Sequence, residues 1–280
     1  MKVANLSGRL VILTGSGAVD VNQASKGRFG ADPQQVYIRW EEFLDWAHSV
    51  GGSAGRPFAL DDLESPVPRP AQVFAIGLNY RRHATESGFV PPAAEPPVFT
   101  KFPASITGPF GTVRLPRDGH TDWEVELVAI IGRRAEHVAA EDAWQHVAGL
   151  AVGQDLSERR LQMAATPPQF SLAKSYPGFS PIGPWLVTPD EVANPDDLEI
   201  ACRVNGESVQ KARTSELIFP VAELIARLSA VTPLLPGDVI FTGTPGGVGI
   251  AREPQRWLQP GDVLTSHIEG IGELRHVMSA

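Results

Sequence analysis

Glu124 and Glu126 stand two apart inside Thr121–Gly132, TDWEVELVAIIG, whose second half is apolar enough for a buried strand. Strand side chains alternate faces, so both carboxylates point the same way, about 7 Å apart over two strand rises. Asp122 shares that face, while Val125, Leu127 and Ala129 point to the other. Two like charges buried side by side are costly unless something cationic neutralises them. A bound metal ion meets that need.

Other residues could complete such a site, and each also has a plainer reading. His83 and Glu86 lie three apart in GLNYRRHATES, so on a helix they share a face and can hydrogen-bond. They read as a base tuned by a carboxylate or, on spacing alone more readily, as a solvated surface pair. Asp155 stands where the apolar run Val147–Val152 gives way, after Gly153, to QDLSERRLQ. A carboxylate at a strand's end is a common ligand position, although capping a helix is the stronger local reading. If a helix starts there, Arg159 and Gln162 fall on Asp155's side. Lys174, among apolar neighbours in FSLAKSY, reads alone as a surface lysine. The turn Phe241–Gly249, FTGTPGGVG, lacks the Lys-Ser/Thr ending of a phosphate loop. Its backbone N–H groups, Gly243 among them, and the Thr244 hydroxyl could hold a carboxylate, or the turn could be purely structural.

These residues need a scaffold rich in strands and turns. The chain has 280 residues, 42% of them hydrophobic, enough for a substantial core, and its 27 Gly and 25 Pro suit many short strands. A net charge of −8 without a basic cluster argues against nucleic-acid binding. One cysteine, Cys202, allows no internal disulfide or thiolate metal site and fits a reducing compartment, the cytoplasm. No apolar run approaches a membrane span, and no leader pattern opens the chain.

Residues 1–70 read as a small α+β unit: strands at Gly8–Leu13 and Val19–Val21 around Gly15–Gly17, and an amphipathic helix over Arg39–Val50. The proline-bearing Ser65–Pro70 links it to a main domain, 71–280. There Val73–Gly77 is a strand, and Pro91–Pro97 is a loop that could tether a lid. Ala140–Val147 is a short helix, Asn205-Gly206 turns a hairpin between Leu198–Val204 and Ser208–Thr214, and Pro220–Leu228 is an amphipathic helix. Pro236-Gly237-Asp238 and Pro260-Gly261-Asp262 each feed a strand, a recurrence that suits a rolled β sheet.

Over roughly Val73–Val277 the chain resembles the fumarylacetoacetate hydrolase family. The resemblance rests on GLNYRRHATE, PVFTKFP, DWEVELV, QDLSERRLQ, LAKSYPGFSPIGP, VNGESVQ, PGDVIFTGTPGGVG and PGDVL, in the family's order. It implies a mainly β fold with some α, a mixed β-sandwich roll, working as a homodimer. It also implies Mg²⁺ or Mn²⁺ on Glu124, Glu126 and Asp155, and three carboxylates without sulfur or imidazole do form a hard oxygen site. By the same resemblance His83 and Glu86 become a lid dyad. Arg159, Gln162 and Lys174 line the pocket, and Thr244 with Gly243 meets the substrate carboxylate. Gln154 stands where the family often has Asn, and Arg160 where it often has Asp, which puts substrate choice in question.

The expected reaction is hydrolysis of a C–C bond in an acylpyruvate-like β-diketo acid. His83, polarised by Glu86, takes a proton from water, the hydroxide attacks the distal carbonyl, and pyruvate leaves, with Lys174 near the developing negative charge. The same scaffold serves oxaloacetate decarboxylation, 2-hydroxyhepta-2,4-diene-1,7-dioate isomerisation and 2-keto-4-pentenoate hydration. A metal- or ligand-binding relative without turnover is the non-enzymatic alternative. A third carboxylate out of reach of the Glu124–Glu126 pair would end the metal reading.

Overall fold

Val125–Ile131 hydrogen-bonds antiparallel to Val147–Gln154 on one side and to Val239–Phe241 on the other. The computed structural model describes residues 1–50, 54–88 and 90–280. All of Val125–Ile131 is buried, because each face of the strand meets a different core. Val125, Leu127, Ala129 and Ile131 pack with Ile200, Cys202, Leu264 and Leu274 of a second sheet. Val128 and Ile130 pack instead with Tyr37, Trp40 and Phe43 of the N-terminal segment. Both faces are therefore apolar, and the strand loses polar alternation after Glu126.

The fold is mainly β. Among the described residues one sheet of 11 strands runs from Gly17–Asp20 through Lys2–Leu6, Ser180–Val187 and the central pair to Val73–Ile76 and Val98–Thr100. A five-stranded sheet orders Glu207–Arg213, Glu199–Val204, Val263–Ile268, Gly272–Ser279 and Phe110–Arg114. Asn205 and Gly206 both have positive φ, 53° and 83°, which gives the twisted two-residue turn the dipeptide favours. The two Pro-Gly-Asp turns close alike: Asp238 accepts the Leu235 N–H at 2.7 Å and Asp262 the Gln259 N–H at 2.8 Å.

Residues 1–70 supply strands at Lys2–Leu6, Arg9–Thr14 and Gly17–Asp20 and a helix at Trp40–Ala47 that buries Trp40, Phe43 and Ala47. The first strand was not legible as one. It pairs with Ser180–Val187, so these strands extend the long sheet rather than form one of their own.

After Gln154 the chain does not enter a helix at once. Ser157–Glu158 pairs with Thr121–Asp122, and the four-residue helix Arg159–Gln162 follows. Glu158 caps it, accepting the N–H groups of Arg160 and Leu161. Asp155 therefore does not cap that helix.

Candidate active site and metal centre

The cluster is assembled by a backbone bond between two strand ends. Asp155 donates its N–H to the Glu124 carbonyl at 2.9 Å, and the Gln154 side chain accepts the Glu124 N–H at 2.9 Å. One oxygen from each of Glu124, Glu126 and Asp155 lies within 4.8 Å of the others, and all three residues are buried. The third carboxylate is thus in reach, as the metal reading requires.

Cations surround two of the three. Lys174 Nζ donates to Glu124 Oε2 and Asp155 Oδ2, each at 2.6 Å. Arg159 donates to Glu124 Oε1 at 2.6 Å, to Asp122 Oδ2 at 2.9 Å and to Gln162 Oε1 at 2.8 Å. Burial raises the Glu124 carboxyl, but Lys174, Arg159 and His83 together hold it well below the usual carboxylate range. Among the described residues the Glu126 side chain accepts only the Gly243 N–H, at 2.7 Å. Burial first, then the charges of Asp155 and Glu124, push its carboxyl well up. A buried carboxyl with no side-chain cation bonded to it, beside two more hard oxygen donors, fits a divalent cation.

His83 and Glu86 lie on the helix Arg81–Glu86, and His83 Nδ1 is 3.2 Å from Glu86 Oε1. Burial raises the Glu86 carboxyl, yet the His83 and Gly247 hydrogen bonds outweigh it and hold the group low. An ionised Glu86 accepts from Nδ1–H, which leaves Nε2 as the free basic nitrogen.

The glycine-rich turn mostly serves the protein's own carboxylates. Besides Gly243, the N–H of Gly247 goes to Glu86, and those of Gly249 and Ile250 go to Asp122 at 2.6 and 3.0 Å. Thr244 donates its hydroxyl hydrogen to the Val125 carbonyl at 2.9 Å and accepts from Gln210 at 2.8 Å. To donate to a substrate it would have to turn from Val125. The structure thus joins Glu124, Glu126, Asp155, Lys174, Arg159 and Gln162 directly, with Gly243 behind Glu126 and His83–Glu86 attached through the turn.

Residues 72–279 match the description Fumarylacetoacetate (FAA) hydrolase C-terminal. The chain belongs to the fumarylacetoacetate hydrolase family. One curated relative is Oxaloacetate tautomerase FAHD2A, mitochondrial, of Homo sapiens, 46% identical over 209 residues that cover 74% of this chain and 66% of that protein. The chain thus spans just under two thirds of that relative's length. A protein provisionally named HpcE from Mycobacterium smegmatis has a solved structure with 55% identity and a TM-score of 0.93, over 100% of this chain and 99% of that one. Maleylpyruvate hydrolase from Sphingobium sp. SYK-6, solved with manganese(II) and pyruvate, shows 29% identity and a TM-score of 0.81 over 100% of each chain. No helix among the described residues is long and apolar enough to cross a membrane.

Against that fumarylacetoacetate hydrolase background, neither unusual residue disturbs the cluster. Gln154 fixes Glu124 and donates to Ser266 at 2.8 Å, so it ties the two sheets together. Arg160 is exposed and donates to the Asp118 carbonyl at 2.5 Å, outside the cluster.

Sequence reasoning missed two contributors, Lys101 and Gln210, and gave Asp122 a face but no role. Lys101 is buried and bonds Asp155 Oδ1; its signal was a lone lysine in the largely apolar PVFTKFP. Asp122, placed on the right face, anchors Arg159 and the turn. Gln210 accepts the Val125 N–H at 3.0 Å and donates to Thr244 and Pro245, and nothing in VNGESVQ singles it out.

Proposed function

We propose that the chain is a divalent-metal-dependent enzyme for small 2-oxo acids and that its reaction is keto–enol tautomerisation of oxaloacetate. The observation that carries this is the His83–Glu86 pair, whose Glu86 is held by the Gly247 N–H of the same turn whose Gly243 N–H holds Glu126 of the acidic cluster. The 46% identity to an oxaloacetate tautomerase supports this choice of reaction.

Glu124, Glu126 and Asp155 would hold Mg²⁺ or Mn²⁺, which supplies Lewis-acid polarisation of a 2-oxo oxygen. His83 Nε2 takes the enol hydroxyl proton and delivers a proton to C3. Glu86 accepts the Nδ1–H hydrogen bond, fixes that tautomer and steadies the imidazolium. Lys174 gives positive charge to the substrate oxygens, and Arg159 keeps Glu124 in place. The Gln162 amide and the Gly243–Thr244 turn are the proposed contacts for the substrate carboxylates.

A second reading is hydrolysis of an acylpyruvate, with the same dyad activating water. The likeness to a maleylpyruvate hydrolase solved with manganese(II) and pyruvate favours it. We propose residues 71–280 as the catalytic domain and 1–70 as a small supporting one. A homodimer in the cytoplasm, engaging neither nucleic acid nor membrane, belongs to the same proposal.

Freshly dissolved enol-oxaloacetate, followed by its enol absorbance, tests the first reading. Mn²⁺ or Mg²⁺ should accelerate its loss, EDTA should abolish the effect, and His83→Ala should remove it. Pyruvate release from acylpyruvates without this acceleration would hand the assignment to the second reading. Neither activity would leave a binding protein.

A further inference from the structure

Asp155 lies between two lysines that are not equivalent. Lys101 has three N–H bonds and three acceptors: Asp155 Oδ1, the Lys174 carbonyl at 2.6 Å and the Phe179 carbonyl at 3.2 Å. Its side chain is fully buried, and two of its acceptors are backbone, so it has nowhere to go. Lys174 is built differently. Among the described residues its ammonium bonds Glu124 Oε2 and Asp155 Oδ2 alone, both oxygens of the acidic cluster. It also lies over the face of Phe99, 5.2 Å from the ring centre, a weaker contact it can exchange.

We infer that these lysines divide two tasks: Lys101 is a fixed positioning residue for Asp155, and Lys174 is a displaceable counter-cation that a divalent ion turns out. This rests on the reading that Glu124, Glu126 and Asp155 hold such an ion. The other oxygens, Glu124 Oε1 and Asp155 Oδ1, are held by Arg159 and Lys101, so a divalent ion would compete with the ammonium for Glu124 Oε2 and Asp155 Oδ2, and like charges that close repel. Lys101 pins the Lys174 carbonyl, so the exchange needs motion of the Lys174 side chain alone. The released ammonium becomes available to an anionic substrate. Metal binding therefore precedes tight 2-oxo acid binding, and the same lysine neutralises first the protein's carboxylates and then the substrate's.

The test uses the full chain, stripped with EDTA and titrated with MnCl₂ in a calorimeter, alongside amine labelling read by mass spectrometry. Lys174 labelling should rise when Mn²⁺ is added, while Lys101 stays unlabelled with and without it. Lys174→Met should bind Mn²⁺ more tightly by about tenfold, the scale on which groups bonded to metal ligands shift affinity. Lys174 labelling that Mn²⁺ leaves unchanged or lowers overturns the inference, and the wild-type protein settles this even if the variant fails to fold. Weaker or equal Mn²⁺ binding by a folded Lys174→Met overturns it as well. Wild-type protein that binds no Mn²⁺ brings down the metal reading itself, a different result from binding without a change in labelling.

Discussion

Gly247 presents its backbone N–H to both carboxylate oxygens of Glu86, 2.9 Å from each. Gly247 has a φ of +111°, and a Cβ there would stand 2.1 Å from the Val209 carbonyl oxygen. Only glycine fits that approach without moving the turn. Gly247→Ala should shift the turn, release Glu86 and lower kcat, with a stability loss on the order of 1–3 kcal/mol for the strained backbone. Paired thermal unfolding and steady-state kinetics check this; unchanged kcat in a folded variant would show that the turn does not position the dyad.

His83→Ala removes the proposed base without touching a cluster oxygen. Turnover should drop by about 10²–10⁴-fold, the usual contribution of a general base. Mn²⁺ affinity by calorimetry should stay close to wild type, so the two readouts separate catalysis from metal binding. Wild-type turnover in this variant removes His83 from the role.

Asp122 acts through Arg159, which it holds at 2.9 Å while Arg159 holds Glu124 at 2.6 Å. Asp122→Asn should weaken Mn²⁺ binding or activity by about 10–100-fold, as loss of a partner behind a ligand typically does. Glu124→Gln should weaken Mn²⁺ binding further. An Asp122→Asn isotherm that overlays wild type, with activity unchanged, counts against this chain of support.

Burial pushes the His276 imidazole down from its ordinary 6.5 to about 4, with its bond to the Gly108 carbonyl opposing the shift. The unfolded chain therefore binds a proton near pH 6.5, but the folded chain only near pH 4. This contribution to stability is whole above the unfolded value and is lost as pH falls through the folded one, on the order of 3 kcal/mol in all. His276→Gln keeps a donor for Gly108 but has no proton to gain. Its melting temperature should fall less steeply than wild type on acidification, and parallel curves would refute the assignment.

Arg160→Ala should leave stability within about 0.5 kcal/mol and KM unchanged, because the side chain is exposed and, among the described residues, bonds only the Asp118 carbonyl. Leu127→Ala, at a fully buried position of the central strand, should cost about 2–5 kcal/mol. Urea unfolding of the two variants gives the comparison. A changed KM in Arg160→Ala would return substrate choice to that position.

The acidic cluster was legible because burying Glu124 and Glu126 in an aliphatic strand leaves a charge problem visible in one dimension. The hairpin at Asn205-Gly206 was legible because its φ angles depend on those two residues alone. Lys101 was not, since its partners are Asp155 and the carbonyls of residues 174 and 179, distant in sequence. Asp155 looked like a helix cap because nothing local announces the Ser157–Glu158 pairing that separates it from the helix. Arg159 was placed on Asp155's side by helical spacing and Lys174 was identified from the family motifs, but their bonds to the acidic residues depend on packing.

Lys2 pairs with Val187, so the first strand of the chain completes its edge only against residues made much later. Contacts this far apart in sequence are slow to close and leave a strand edge open meanwhile. On the ribosome, Arg9–Thr14 and then Leu63–Glu64 can cover part of Lys2–Leu6, but its Lys2–Val3 end must wait until Ser180–Val187 has emerged. Assembly order, rather than any single contact, then sets how long that apolar edge is exposed to other chains.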